Sequence, residues 1–163
     1  MARIIRRGAA LLVGAGAIAL WTAAAASAHV TVSGPGATSG GSDQIRQRIR
    51  AVSGHLADTL AQIKDRAPHA RVYVVGYPDL LPTGGGGCGD TMAITDADIA
   101  YLNQEELRLN AVLKEVAHAA GDGYVDTYTP SEGHDACSAP GKRWLEPLLT
   151  SAPAAPLHPN AAG

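Results

Sequence analysis

Five residues near the end of the chain, Pro156-Leu157-His158-Pro159-Asn160, carry the clearest chemical potential in its 163 residues. The histidine follows an Ala/Pro-rich loop and stands where a helix is expected to begin. Pro159 suits a first helical position, because the N–H it lacks is not needed there. An imidazole held at a loop mouth can take up a proton near neutral pH, so the expected role is that of a base. Other polar groupings point less far. His134 and Asp135 flank Cys137 but lack a third ligand at metal-binding spacing, so a polar loop is expected and no metal. Gly84 to Gly87 lacks the Lys-Ser/Thr ending of a phosphate-cradling loop and reads as a plain flexible connection.

The elements that must position His158 follow from periodicity. Ser42 or Asp43 caps a helix whose apolar stripe runs Ile45, Ile49, Val52, Leu56, Leu60, Ile63, and Pro68 ends it. Arg71 to Tyr77 is a continuous β-favouring run before Pro78. Continuous hydrophobicity predicts burial on both faces, as in the middle of a parallel sheet. Thr95-Asp96-Ala97-Asp98 resembles a capping box with Asp for Glu. A second amphipathic helix follows through Ile99, Leu102, Leu109, Val112, Leu113 and Val116, ending at Gly121 or Gly123. Tyr124 to Thr127 is a second buried strand, and Tyr128 to Leu157 a long loop of functional character. Helix–strand–helix–strand alternation predicts an α/β layered fold with a parallel sheet, whose sites lie at the carboxyl ends of the strands. Both the Pro78–Asp90 loop and the Tyr128–Leu157 loop leave from those ends.

Residues 1–28 read as a secretory signal: Arg3, Arg6 and Arg7 are basic, Gly8 to Trp21 is apolar, and Ala26-Ser27-Ala28 is a cleavage site. The mature chain is expected to begin at His29, to be secreted, and to keep no membrane anchor. Losing three arginines and no acids moves the formal charge from −2 to −5. No basic stripe remains for phosphates, so nucleic acid is not an expected partner. About 135 residues suffice for one small domain. Residues 29–41 read as a flexible linker in which His29 to Ser33 alternates weakly as a short strand, and 42–163 as the domain. In an exported chain, Cys88 and Cys137 are expected to pair, for roughly 4 kcal/mol of loop entropy.

Arg71-Val72-Tyr73-Val74-Val75-Gly76-Tyr77-Pro78, Tyr124-Val125-Asp126-Thr127-Tyr128, Gly133-His134-Asp135-Ala136-Cys137 and Pro156 to Asn160 resemble actinobacterial secreted SGNH (GDSL-type) esterases and lipases. The similarity runs from about Ser42 onward. It implies a flavodoxin-like three-layer α/β/α SGNH-hydrolase fold, here truncated and with a narrow parallel sheet. It also implies hydrolysis of ester or lipid small molecules without any cofactor. His158 matches the family base that activates a serine. The acid usually found three residues before that histidine is here Ala155, so the Ala155 carbonyl is expected to orient the ring. Asp126 is the other candidate for that task, although capping backbone groups at a strand end suits it better.

No Gly-Asp-Ser nucleophile block occurs in the chain, and neither the oxyanion glycine block nor a Gly-x-Asn-Asp pattern is recognisable. The expectation is a signal peptide joined to the C-terminal part of an esterase, inactive alone. Ser33, after the short strand and before Gly34, is the stand-in nucleophile, in a Ser-Gly-Pro succession that also marks ordinary loops. Ser42 reads better as a cap. Trp144 and Leu145 could line an acyl pocket or fill the core. The alternative is a non-enzymatic secreted remnant or binding module.

Overall fold

The computed structural model describes residues 38–39, 42–149 and 154–163. The expected signal peptide, the His29–Ser33 strand and Ser33 itself lie outside the described residues. A short antiparallel hairpin, β1 (Thr38–Ser39) with β2 (Ser42–Asp43), comes first, within and just after the stretch read as linker. Helix α1 (Gln44–Arg66) follows. Its cap is Asp43, whose carboxylate accepts the Arg46 N–H at 3.0 Å; this contact holds the Asp43 carboxyl below the usual carboxylate range. Strand β3 (Tyr73–Val75), helix α2 (Asp96–Ala119) and strand β4 (Gly123–Val125) then form a parallel βαβ unit, with Val74 opposite Tyr124 and Val75 opposite Val125. The Thr95–Asp98 capping box forms as expected. No helix among the described residues is long and apolar enough to cross a membrane.

The helices pack side by side, and a buried acid joins them. Glu105 on α2, 2% exposed, accepts from Arg46 of α1 at 2.8 Å and from Arg108 at 3.1 Å. Two guanidinium partners compensate a carboxylate that would otherwise be costly to bury. At the far ends of the helices Lys64 pairs with Asp122 at 3.2 Å and donates to the Ala120 carbonyl. Within the apolar stripe of α1, Ile49 and Leu60 are buried most deeply.

The expectation that the Arg71–Tyr77 run is buried on both faces fails. Tyr73 and Val75 are 59% and 57% exposed, and Val125 on β4 is 40% exposed. Alternation explains the split: Val74 and Tyr124 point toward α2, while Tyr73, Val75 and Val125 share the opposite face, which no described element covers. A β-rich apolar run reports burial only where elements exist on both sides.

The core lies beyond the carboxyl ends of the strands, under the loops. Leu81, Cys88, Met92, Ile99, Ala136 and Leu145 form its buried centre, with Leu80, Ile94, Leu102, Cys137 and Leu157 packed around it. Cys88 and Cys137 are disulfide-bonded, 49 residues apart, and tie the loop after β3 to the loop after β4. The described residues of the Tyr128–Leu157 stretch are more regular than a loop reading implies. It opens with a four-residue helix, α3 (Tyr128–Ser131), and Leu145 bridges to Pro159. Pro159 therefore does not start a helix at the residues that follow His158; the segment instead turns back along Trp144 to Glu146.

Candidate active site

His158 is placed by a short antiparallel ladder. The Glu146 N–H donates to the His158 carbonyl at 3.1 Å, the Leu157 N–H to the Glu146 carbonyl at 2.9 Å, and the Asn160 N–H to the Trp144 carbonyl at 2.8 Å. The Asn160 amide also donates to the Arg143 carbonyl and the Glu146 carboxylate, each at 3.0 Å. Arg143 neutralises the buried Glu146 at 2.7 Å. Leu157 packs against the core in the left-handed region, φ 60°, a conformation that side-chain-bearing residues adopt only when their surroundings enforce it. One strained, anchored residue thus precedes an exposed histidine.

The ring itself is oriented by backbone. His158 Nδ1 lies 2.8 Å from the Pro156 carbonyl oxygen. A carbonyl can only accept, so Nδ1 donates its hydrogen there, and in the neutral ring this tautomer leaves Nε2 as the accepting nitrogen. The expectation for Ala155 is corrected by one residue: its carbonyl accepts the His158 backbone N–H at 3.1 Å, and Pro156 holds the ring. The left-handed Leu157 turns the chain so that the nearer carbonyl reaches Nδ1.

The other candidates are engaged elsewhere. Asp126 accepts the Tyr128 N–H at 2.9 Å, the Thr129 N–H at 3.1 Å and the Thr129 hydroxyl at 2.6 Å, contacts that lower its carboxyl. It caps α3 and is not paired with His158. Asp135 caps its own turn through the Cys137 N–H at 2.8 Å and the Ser138 hydroxyl. His134 stacks on Trp144, ring centroids 4.2 Å apart, with Nδ1 2.6 Å from the Lys142 carbonyl. Leu145, 3% exposed, belongs to the core. Ser42 precedes the cap Asp43, and Ser33 lies outside the described residues.

One polar group escaped the sequence reading. Asn103, Glu106 and Asn110 occupy one face of α2 at steps of three and four, and each holds the backbone of the loop leaving β3. Asn110 pairs with both backbone groups of Tyr77, at 2.7 and 2.9 Å. Glu106 accepts the Leu80 N–H at 3.2 Å, and Asn103 donates to the Leu81 carbonyl at 2.8 Å and to the Tyr128 hydroxyl at 3.0 Å. Burial pushes the Glu106 carboxyl up to about 8, with the nearby Asp79 adding to the rise. Asp79, 2% exposed, is itself raised by burial, against a lowering contact from the Gly133 N–H. Carboxyls raised by desolvation recur around active sites. Here the group shapes the loop that the disulfide then ties down. The repeat of polar residues beside the apolar stripe was the available signal.

Comparison with known proteins identifies the setting. The family model for GDSL-like lipases and acylhydrolases matches residues 21–163. The chain belongs to that family. Lipase 2 of Streptomyces coelicolor is 42% identical over 109 residues, covering 66% of this chain and 37% of that protein. Lipase 1 of the same organism is 33% identical over 110 residues, 68% of this chain and 39% of that protein. Among solved structures, the extracellular lipase of Streptomyces rimosus superposes with TM-score 0.60 at 30% identity, over 70% of this chain and 47% of that one. Phospholipase A1 from Streptomyces albidoflavus NA297 superposes with TM-score 0.58 at 29% identity, over 68% and 44%. The chain therefore spans well under half the length of these curated lipases. The fold is that of the GDSL/SGNH hydrolases in part, with its small parallel sheet of two strands.

Proposed function

We propose that this chain is the base-bearing portion of an exported carboxylic ester hydrolase acting on acyl esters or lipids, with His158 as general base. The observation that carries the proposal is the geometry of His158. Nδ1 is fixed by the Pro156 carbonyl, and the segment is latched to Trp144–Glu146, so Nε2 can take the proton of an attacking serine hydroxyl. Family membership supports the reaction class, the extracellular lipase of Streptomyces rimosus supports export, and residues 1–28 are proposed as the signal that is removed. The Cys88–Cys137 disulfide suits an oxidising compartment.

The proposal has a second part. No Gly-Asp-Ser block is present in these 163 residues, so the described domain does not hydrolyse esters by itself. Loss of even one oxyanion donor lowers a rate by about 100- to 1,000-fold, and here the nucleophile block is missing as well. A fluorophosphonate probe applied to the mature chain, followed by mass mapping, tests this directly. No stoichiometric labelling is expected. Labelling of one serine, Ser33 included, that His158→Ala abolishes would instead make the chain a hydrolase on its own. The missing block also favours one other reading, a secreted binding module; retained acyl-ester binding with no catalysis in any assembly would establish it.

A further inference from the structure

The His158 ring takes its direction from a carbonyl two residues back, that of Pro156, 2.8 Å from Nδ1. The contact depends on the residue between them. Leu157 sits at φ 60°, where its Cβ is crowded, and an unconstrained leucine returns to negative φ. Rotation about that bond would carry the Pro156 carbonyl away from the ring. Glu146 opposes the rotation with its backbone. Its carbonyl accepts the Leu157 N–H at 2.9 Å and its N–H donates to the His158 carbonyl at 3.1 Å, so it clasps the strained step from both sides.

What keeps Glu146 in place is a polar knot of side chains. Its carboxylate, on a residue only 4% exposed, accepts from the Arg143 guanidinium at 2.7 Å and from the Asn160 amide at 3.0 Å. The same Asn160 amide donates to the Arg143 carbonyl at 3.0 Å, and its Oδ1 accepts the Ala162 N–H at 2.9 Å. The Asn160 N–H reaches the Trp144 carbonyl at 2.8 Å. Every donor of Asn160 is therefore engaged, and all but the last contact tie it to residues 143–146. Hydrogen bonds to a buried carboxylate are stronger than neutral ones, so this side-chain bond is the firm point of the segment.

We propose that Asn160 and Glu146 are positioning residues for the base: their side-chain bond fixes the clasp that keeps Leu157 left-handed and the His158 ring on the Pro156 carbonyl. They act through the direction of the ring. An asparagine two residues beyond the histidine thus does remotely what an acid before it would do by direct contact.

The role rests on the reading of His158 as base, and its test observes the ring itself, so the two fail separately. Nitrogen-15 is placed in the histidines of the full chain, and His158→Gln assigns the signal among the six. At about pH 8, where an ordinary imidazole is neutral, the two ring-nitrogen shifts report which nitrogen carries the hydrogen. In the parent it should be Nδ1. Asn160→Ala should move the ratio of Nδ1–H to Nε2–H about tenfold toward Nε2–H, the scale of one hydrogen bond to a charged group. Glu146→Gln keeps an acceptor for Asn160 and should retain the parent ratio, whereas Glu146→Leu should shift it as Asn160→Ala does. Ile49→Val, a destabilising change buried in α1, should leave the ratio alone, which a role confined to stability would not predict. If Asn160→Ala does not fold, Asn160→Asp, which sets a second carboxylate against Glu146, replaces it and should shift the ratio the same way. The proposal is overturned by a parent hydrogen on Nε2, by the parent ratio in a folded Asn160→Ala or Asn160→Asp chain, by an equal shift in Ile49→Val, or by Glu146→Gln shifting as far as Glu146→Leu. Serine mapping decides the hydrolase reading independently. Its failure would leave the positioning of the ring standing, and failure of the ring test would leave the reaction class standing.

Discussion

Glu106 should make the stability of this domain fall as the solution becomes alkaline. Its carboxyl accepts the Leu80 N–H at 3.2 Å, and burial raises it to about 8 from an ordinary value of 4.5. The folded value lies above the unfolded one. The group therefore contributes most at low pH, where both states hold the proton, and the contribution is lost as pH rises through 8. In the window between these values the folded state keeps a proton that the unfolded state has released. From pH 5.5 to pH 9 the loss amounts to roughly 3 kcal/mol, at ~1.4 kcal/mol per pH unit. Glu106→Gln keeps an acceptor for Leu80 and removes the titration. Urea unfolding of both proteins, followed by far-UV circular dichroism at several pH values, isolates the effect, because all other titrating groups are shared. The stability of Glu106→Gln relative to the parent should climb by about 3 kcal/mol across that range. Two curves that run parallel within ~0.5 kcal/mol would refute the raised carboxyl and the burial assigned to it.

Removing the disulfide by Cys88→Ser/Cys137→Ser should cost roughly 4 kcal/mol in the same urea assay, since the bridge closes a 49-residue separation. The lost order should be concentrated at the loops after β3 and β4. Gly54 lies at an exposed position inside α1, where a Cβ would meet nothing within 4 Å. Gly54→Ala should therefore raise stability by about 0.5–1 kcal/mol, read as an increase in melting temperature with the ester-probe behaviour unchanged.

The two helices were legible because their information is local. A stripe at steps of three and four, a cap at Asp43 and a capping box at Thr95–Asp98 all act within one or two turns, and the observed ends follow them. The Cys88–Cys137 pair was legible for a different reason: two cysteines leave one intramolecular choice. The strand at 73–75 shows where local information stops. Its residues favour extended backbone, but whether Tyr73 and Val75 are covered depends on elements distant in sequence, and among the described residues none covers that face. The polar face of α2 failed the reading for the same reason. Asn103, Glu106 and Asn110 look like solvent-facing residues until the Tyr77–Leu81 loop folds onto them.

For the site, the sequence by itself singled out His158, through its block of neighbours, as the residue proposed here as base, and it shows no Gly-Asp-Ser string. Only the tertiary structure decided which carbonyl holds the ring. That choice turns on a left-handed Leu157, a ladder to Trp144–Glu146 and a leucine anchored in a core built from loops far apart in the chain. Spacing along a chain identifies a functional group. The direction in which it points is set by non-local hydrogen bonds and packing, which spacing does not encode.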